Sequence, residues 1–218
     1  MRLALLDLDG TLFDRAHAFE LSVKLLSEEL NLEPDDFVPF VVKADNDGLS
    51  GWPHWMHEAQ QRFGFRGHVD QLIVEQWERY LSVIPLATSS IEGLRCLRDV
   101  GWRTVIVTNG SASQLDIARQ CGLLDAVDEC IVSGIVGVRK PELEIFEIAA
   151  DSVNQSLDVR TTWMVGDSPE ADVGGARRAN INSIWISRGR RWRHDGFRPD
   201  LEVEVIGDAF SVLANLGE

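Results

Sequence analysis

The 218-residue sequence is poor in cysteine and in cations, and it contains no long apolar run. Its three cysteines, Cys96, Cys121 and Cys130, lack the spacing of a metal-ligand set and are too few for a disulfide scaffold. They read as structural thiols of a reducing compartment. No apolar segment approaches the roughly 20 residues of a membrane helix. Leu3 to Leu6 is too short for the core of a signal peptide and runs straight into Asp7. These absences predict a cytoplasmic protein with no membrane partner. Lysine and arginine number 21 against 35 acids, a formal charge of −14. That balance argues against general affinity for nucleic acid or anionic lipid, both polyanions. A small anionic substrate is still admitted, because a metal and local cations outweigh net charge inside one cleft.

What is present is an ordinary globular composition, 44% apolar with no low-complexity tract. The length allows one core domain and a modest second lobe. The organising stretch is Leu3-Ala4-Leu5-Leu6-Asp7-Leu8-Asp9-Gly10-Thr11. A short apolar run without helical continuation reads as a buried parallel strand. It ends on two carboxylates one residue apart, followed by a glycine suited to a tight, ligand-bearing turn. Two like charges about 4 Å apart repel by roughly 4 kcal/mol at an effective dielectric near 20. A divalent cation relieves that repulsion, and magnesium prefers all-oxygen sites.

Helical periodicity follows. Asp14 is the expected N-cap of a helix carrying Phe19, Val23, Leu26 and Leu30. Phe37 to Lys43, Trp55 to Phe63 and Val69 to Leu81 are further amphipathic helices. Residues 14–84 are therefore expected to form an all-helical insert, with 1–13 and 85–218 forming the core. Strand and helix then alternate: a helix capped by Ser90, a strand over Arg103 to Val107, a helix from Ser111 to Cys121, and a strand near Glu129 to Val132. A helix is expected to open at Lys140-Pro141 with Pro141 at its first position. Strands over Thr162 to Val165 and Ser183 to Ile186 flank a helix over Asp172 to Ala179. An edge strand at Glu202 to Ile206 and a closing helix, Asp208 to Leu216, complete the pattern. This alternation predicts an α/β, Rossmann-like doubly wound parallel sheet. Ligands of such sheets bind outside the carboxyl ends of the strands, where Asp7, Asp9, Thr108 and Asp167 fall, with Lys140 nearby.

Singly, these residues have bland readings. Thr108-Asn109-Gly110 is also a turn and helix entry, Lys140 is also a solvated lysine, and Gly166 to Asp172 is also a helix start capped by Asp167 or Ser168. Together, Asp7-Leu8-Asp9-Gly10-Thr11, Thr108, Lys140, and Gly166-Asp167 with Asp172 resemble the four motifs of the haloacid dehalogenase superfamily in order and spacing. The resemblance is to the phosphatase branch, and residues 14–84 match the family's small helical (C1-type) cap in position.

The resemblance implies a magnesium-dependent phosphatase acting on a small phosphorylated metabolite. Asp7 is then the nucleophile that forms an aspartyl-phosphate, and Asp9 the general acid and base. Lys140 balances charge on Asp7 and the phosphoryl group. Thr108 and the backbone N–H groups of Leu8 and Asn109 bind phosphate. Mg2+ is held by Asp7, the Asp9 backbone carbonyl and Asp167, with Asp172 in support. Asp9 favours phosphate monoesters over haloacids, since dehalogenation needs no acid–base there. A sugar phosphomutase also keeps Asp9 and is the alternative within the family. A non-catalytic phospho-aspartate signalling or interaction protein is the alternative of another class. A receiver domain of that class is shorter, has no helical insert after its first strand and carries its reactive acid on a later strand.

The insert is expected to act as a lid that sets substrate choice, with Asp45 to Trp52 as a candidate specificity loop. Trp52, Trp55, His54 and His57 follow it and read first as packing or surface residues. Arg188, Arg190, Arg191, Arg193 and Arg198 read first as a solvated run pairing with surplus acids, and second as an aid to an anionic substrate. A monomer or homodimer is expected.

Overall fold

The computed structural model describes residues 2–216. Two compact units are formed: Met1–Phe13 with Leu86–Glu218, and Asp14–Pro85.

The first unit is built on six strands: β1 (Arg2–Leu6), β2 (Trp102–Thr108), β3 (Glu129–Val132), β4 (Thr162–Gly166), β5 (Asn182–Ile186) and β6 (Leu201–Val203). All pair in parallel in the order β3-β2-β1-β4-β5-β6. The chain builds outward from β1 through β2 to β3, then returns to the other side of β1 at β4. Strand order therefore reverses at β1, and the crevice beyond the carboxyl ends of β1 and β4 is the place where such a sheet takes a ligand. A doubly wound, Rossmann-like sheet is thus the observed architecture.

Helices cover both faces, as a sheet of nearly continuous apolar strands requires. On one face Ile145, Phe146 and Ala149 of α8 (Leu143–Ser152) and Ala176 of α9 (Gly174–Arg178) pack on Leu3, Leu5, Val105, Val107 and Met164. Ala4 and Leu6 alternate with Leu3 and Leu5, so they face the opposite side and are also fully buried. There α5 (Thr88–Asp99) and α10 (Ile206–Asn215) bury Leu94, Leu97, Phe210 and Leu213. Two shorter helices, α6 (Gln114–Gln120) and α7 (Ser133–Val136), follow β2 and β3.

Asp128 ties β2 to the start of β3, accepting from the Thr104 N–H at 2.8 Å and from Arg103 at 2.6 Å. Burial pushes its carboxyl upward, but these bonds and the charges of Arg103 and Arg98 outweigh it and hold it below the usual range. A depressed folded-state pKa stabilises above the unfolded value of about 3.9 and loses that effect as pH falls through the folded value. Asp128→Asn should therefore flatten the acid limb of a melting-temperature profile below about pH 4, measured by circular dichroism.

The second unit consists of α1 (Arg15–Glu29), α2 (Pro34–Asp45), α3 (Trp52–Phe63) and α4 (Val69–Val83). Asp14 caps α1 by accepting from the His17 N–H at 3.0 Å. Its interior is aromatic: Phe19, Trp52, Trp55 and Tyr80 meet with centroids 5.7–6.5 Å apart. Trp52 and Trp55 thus pack within the unit, while His54 is exposed beside Glu58 at 3.4 Å. Arg15 pairs with buried Asp45 at 2.8 Å and lies over the Phe19 ring, tying the start of α1 to the end of α2.

Several boundaries differ from the sequence reading. Ser90 is not a cap: α5 starts two residues earlier, and the buried Ser90 hydroxyl donates to the Leu12 carbonyl at 2.6 Å. Pro141 does not open a helix; the Lys140–Pro141 bond is cis and α8 begins at Leu143. The helix expected from Ser111 begins only at Gln114. The helix expected from Asp172 begins earlier as a π-helical turn, Pro169–Val173, before α9. Ser168 is its N-cap, accepting from the Ala171 N–H at 3.2 Å. No helix among the described residues is long and apolar enough to cross a membrane.

Candidate active site

Three adjacent strands end in chemistry. Asp7 follows β1 and continues its pairing, its N–H donating to Val165 of β4 at 2.9 Å. Thr108 closes β2, two residues beyond the Leu6–Ile106 pair, and its side chain is buried. Gly166 ends β4 and Asp167 follows it. After Leu8, also buried, the chain turns back through Gly10, which has a φ of +76°, a left-handed value that glycine adopts without strain. Gly166 is required for closeness: a Cβ there would strike the Asp172 carboxylate.

Lys140 reaches this edge from the loop before α8. The Asn109 side chain accepts from the Lys140 N–H and donates to the Lys140 carbonyl, both at 2.9 Å, which fixes the lysine beside the end of β2. Its ammonium, with the side chain only 1% exposed, donates to Asp7 Oδ1 at 2.6 Å and to Asp172 Oδ1 at 2.7 Å. Burial alone would pull the lysine pKa down; the two carboxylates outweigh it and hold the group charged, above its ordinary value. Asp172 is pushed up by burial, with Lys140 opposing and Asp7 reinforcing the shift. Its other oxygen accepts from the Ser168 N–H at 2.9 Å. Asp7 Oδ2 accepts from the Thr11 hydroxyl at 3.1 Å. Asp7 is thus held at both oxygens, at the end of a strand buried in the centre of the sheet. Oxygens of Asp7, Asp167 and Asp172 lie within 4.8 Å of one another.

A family model for haloacid dehalogenase-like hydrolases matches residues 1–180. The chain belongs to this family. The chain is 28% identical to pyrimidine 5'-nucleotidase YjjG of Escherichia coli over 148 residues, 67% of the chain and 64% of that protein. It is 29% identical to the phosphoserine phosphatase of Thermus thermophilus over 157 residues, 70% of the chain and 61% of that protein. The chain thus spans less than two thirds of the length of these two relatives. YfnB of Bacillus subtilis, described as a HAD-hydrolase, is matched over 97% of the chain and 95% of its own length at 25% identity. Its crystal structure, described as bound to magnesium, superposes with a TM-score of 0.80 at 22% identity, covering 97% of this chain and 98% of that one.

Three carboxylates sharing one small volume, with no sulfur or imidazole among them, form a hard oxygen donor set of the kind magnesium takes. These residues therefore fit the ion.

Four interactions at the site escape a reading of sequence. Thr11 holds Asp7. Gln114, the first residue of α6, donates to Asp9 Oδ2 at 2.9 Å. Arg190 donates to Asp167 twice, to its carbonyl at 2.7 Å and to Oδ2 at 3.0 Å, and lies over the Trp185 ring. Trp185 donates its indole N–H to the same carbonyl at 3.0 Å. All five arginines of the run are exposed, and two of them, Arg188 and Arg190, turn to Asp167, at 3.7 and 3.0 Å. Burial pushes the Cys121 thiol up to about 12, the charge of Asp9 adding to it, and the Cys130 thiol up to about 11.

Proposed function

We propose that this hydrolase is a magnesium-dependent phosphatase of small phosphate monoesters, working through an aspartyl-phosphate on Asp7. The observation that carries the reading is the arrangement around Asp7. A buried carboxylate at the strand-order reversal is held by Lys140 and Thr11, with a second acid, Asp9, two residues on.

In this reading an Asp7 oxygen attacks phosphorus. The new bond is Oδ–P, and the bond that breaks joins phosphorus to the leaving oxygen. Hydrogen bonds to both Asp7 oxygens fix their direction without using all their lone pairs. Asp9 gives its proton to the leaving oxygen and later takes one from the water that attacks the phospho-enzyme, breaking the Oδ–P bond and restoring Asp7. Thr108 and the N–H groups of Leu8 and Asn109 receive the phosphoryl oxygens. Lys140 orients Asp7 and balances its charge. Magnesium, held by Asp7, Asp167 and the Asp9 carbonyl with Asp172 in support, would supply the positive charge that lets a carboxylate meet a phosphate dianion. Both Asp172 oxygens already accept hydrogen bonds, which suits a supporting role. In this reading the substrate is a small phosphorylated metabolite of the cytoplasm.

The test is phosphate release from a panel of phosphorylated metabolites and an aryl phosphate, with magnesium and with a chelator. Turnover should vanish with the chelator and return on adding magnesium. Undiminished release by the chelated enzyme would contradict the reading. A sugar phosphate converted to an isomer, with no phosphate released, would replace it by the mutase reading.

A further inference from the structure

We propose that Gln114 is the positioning residue for Asp9, aiming that carboxyl at the leaving oxygen; the proposal rests on the phosphatase reading above. Asp9 lies on the turn after β1, where the backbone alone leaves its side-chain torsions unset. Gln114 comes from the start of α6, 105 residues away, and its Nε2 donates to Asp9 Oδ2 at 2.9 Å. Oδ2 of Asp9 accepts here, so the amide faces the acid with its NH2.

The glutamine is itself fixed. It is 9% exposed, and its Cγ and Nε2 lie where a side chain at Gly110 would come within 2.6 and 2.8 Å. Its Oε1 is buried with no hydrogen-bond partner among the described residues. A buried amide oxygen left so is unfavourable for folding. The side chain's one hydrogen bond among the described residues goes to the acid the chemistry needs. A residue placed for stability alone would satisfy both ends of its amide.

If Gln114 orients the proton donor, its loss must depend on how much the leaving group needs a proton. An alkyl phosphate releases a strongly basic alkoxide and needs Asp9; a dinitrophenyl phosphate releases a stable anion and does not. General acid catalysis is worth roughly 10²- to 10⁴-fold, and loss of aim should remove a part of it. For Gln114→Met, kcat/KM for an alkyl phosphate should fall on the order of 10- to 100-fold. For 2,4-dinitrophenyl phosphate it should stay within about threefold, since bond cleavage there draws little on the acid. The kcat for both substrates should fall, because attack of water on the common phospho-enzyme uses the same carboxyl as base.

Gly110→Ala provides a second route to the same loss, displacing the amide while leaving Gln114 in the chain. It should show the same split between substrates. Gln114→Asn, one methylene shorter, falls between the two enzymes or matches the methionine variant. Parallel losses in kcat/KM for both substrates, or none for either, would overturn the proposal. A wild-type enzyme that releases phosphate while the variants keep its leaving-group dependence removes only the role of Gln114. A wild-type enzyme that releases none from either substrate removes the phosphatase reading and this proposal with it.

Discussion

Asp7→Asn should abolish turnover, with phosphate release falling by on the order of 10⁴-fold or more, as loss of a nucleophile does elsewhere. The amide keeps the size and nearly the shape of the carboxylate, so the Thr11 hydroxyl retains a possible partner and β1 retains its register. What disappears is the oxygen that the proposed mechanism bonds to phosphorus and the charge that faces Lys140 at 2.6 Å. The chemistry and the fold are therefore separable in this variant. Asp172 alone still balances the lysine, so unfolding by urea should shift far less than activity. Covalent capture gives the decisive readout. Borohydride reduction of enzyme quenched during turnover converts an acyl phosphate at residue 7 to homoserine, which should appear in the wild type and be missing in the variant. Hydrolysis at an undiminished rate by Asp7→Asn would show that phosphorus is attacked by something else.

The fold was legible in the sequence because its strands are short apolar runs with abrupt polar ends. Glu129–Val132 has the bounds that its β-branched residues suggest, and Thr162 begins β4 as expected. The placement of the candidate site residues was legible for the same reason. Asp7, Thr108 and Asp167 sit where buried strands stop, and parallel pairing brings those stops together. What escaped depends on contacts that no local pattern encodes. Ser90 near a helix start looks like a cap, yet its hydroxyl serves a carbonyl 78 residues away. Gln114 looks like any polar residue at a helix start until the sheet brings Asp9 within 2.9 Å of it. Arg190 is partly exposed, at 43%, and paired with an acid as its run suggests, but that the acid is Asp167, with the carbonyls of Ile186 and Ser187 beside it, no local pattern shows. A local sequence window shows which residues can form hydrogen bonds; which partners they find depends on topology.

Lys140→Met should be the most destabilising single change at this site. The ammonium is the only described hydrogen-bond partner shared by Asp7 and Asp172, and both carboxylates are buried. Methionine fills nearly the same volume, so the cost is electrostatic: two carboxylates face one another with their common cation gone. Breaking a buried ion pair by removing one partner typically costs about 3–5 kcal/mol. The unfolding free energy of the chelated protein in urea at neutral pH should fall by about that amount. Its pH dependence distinguishes charge from packing. Burial already pushes the Asp172 carboxyl upward with Lys140 opposing, so deleting the lysine raises it further. A folded-state pKa raised above the unfolded value of about 3.9 destabilises as pH rises past that value. The penalty of Lys140→Met should therefore shrink toward about pH 4, where protonation relieves the repulsion. Adding Asp172→Asn to the same chain should recover part of the loss at neutral pH, since one of the two unpaired charges is removed. Activity should not return, because Asp7 still lacks the cation that orients it. A penalty independent of pH and untouched by Asp172→Asn would mean that Lys140 contributes only packing, and the charge balance assigned to the site would be wrong.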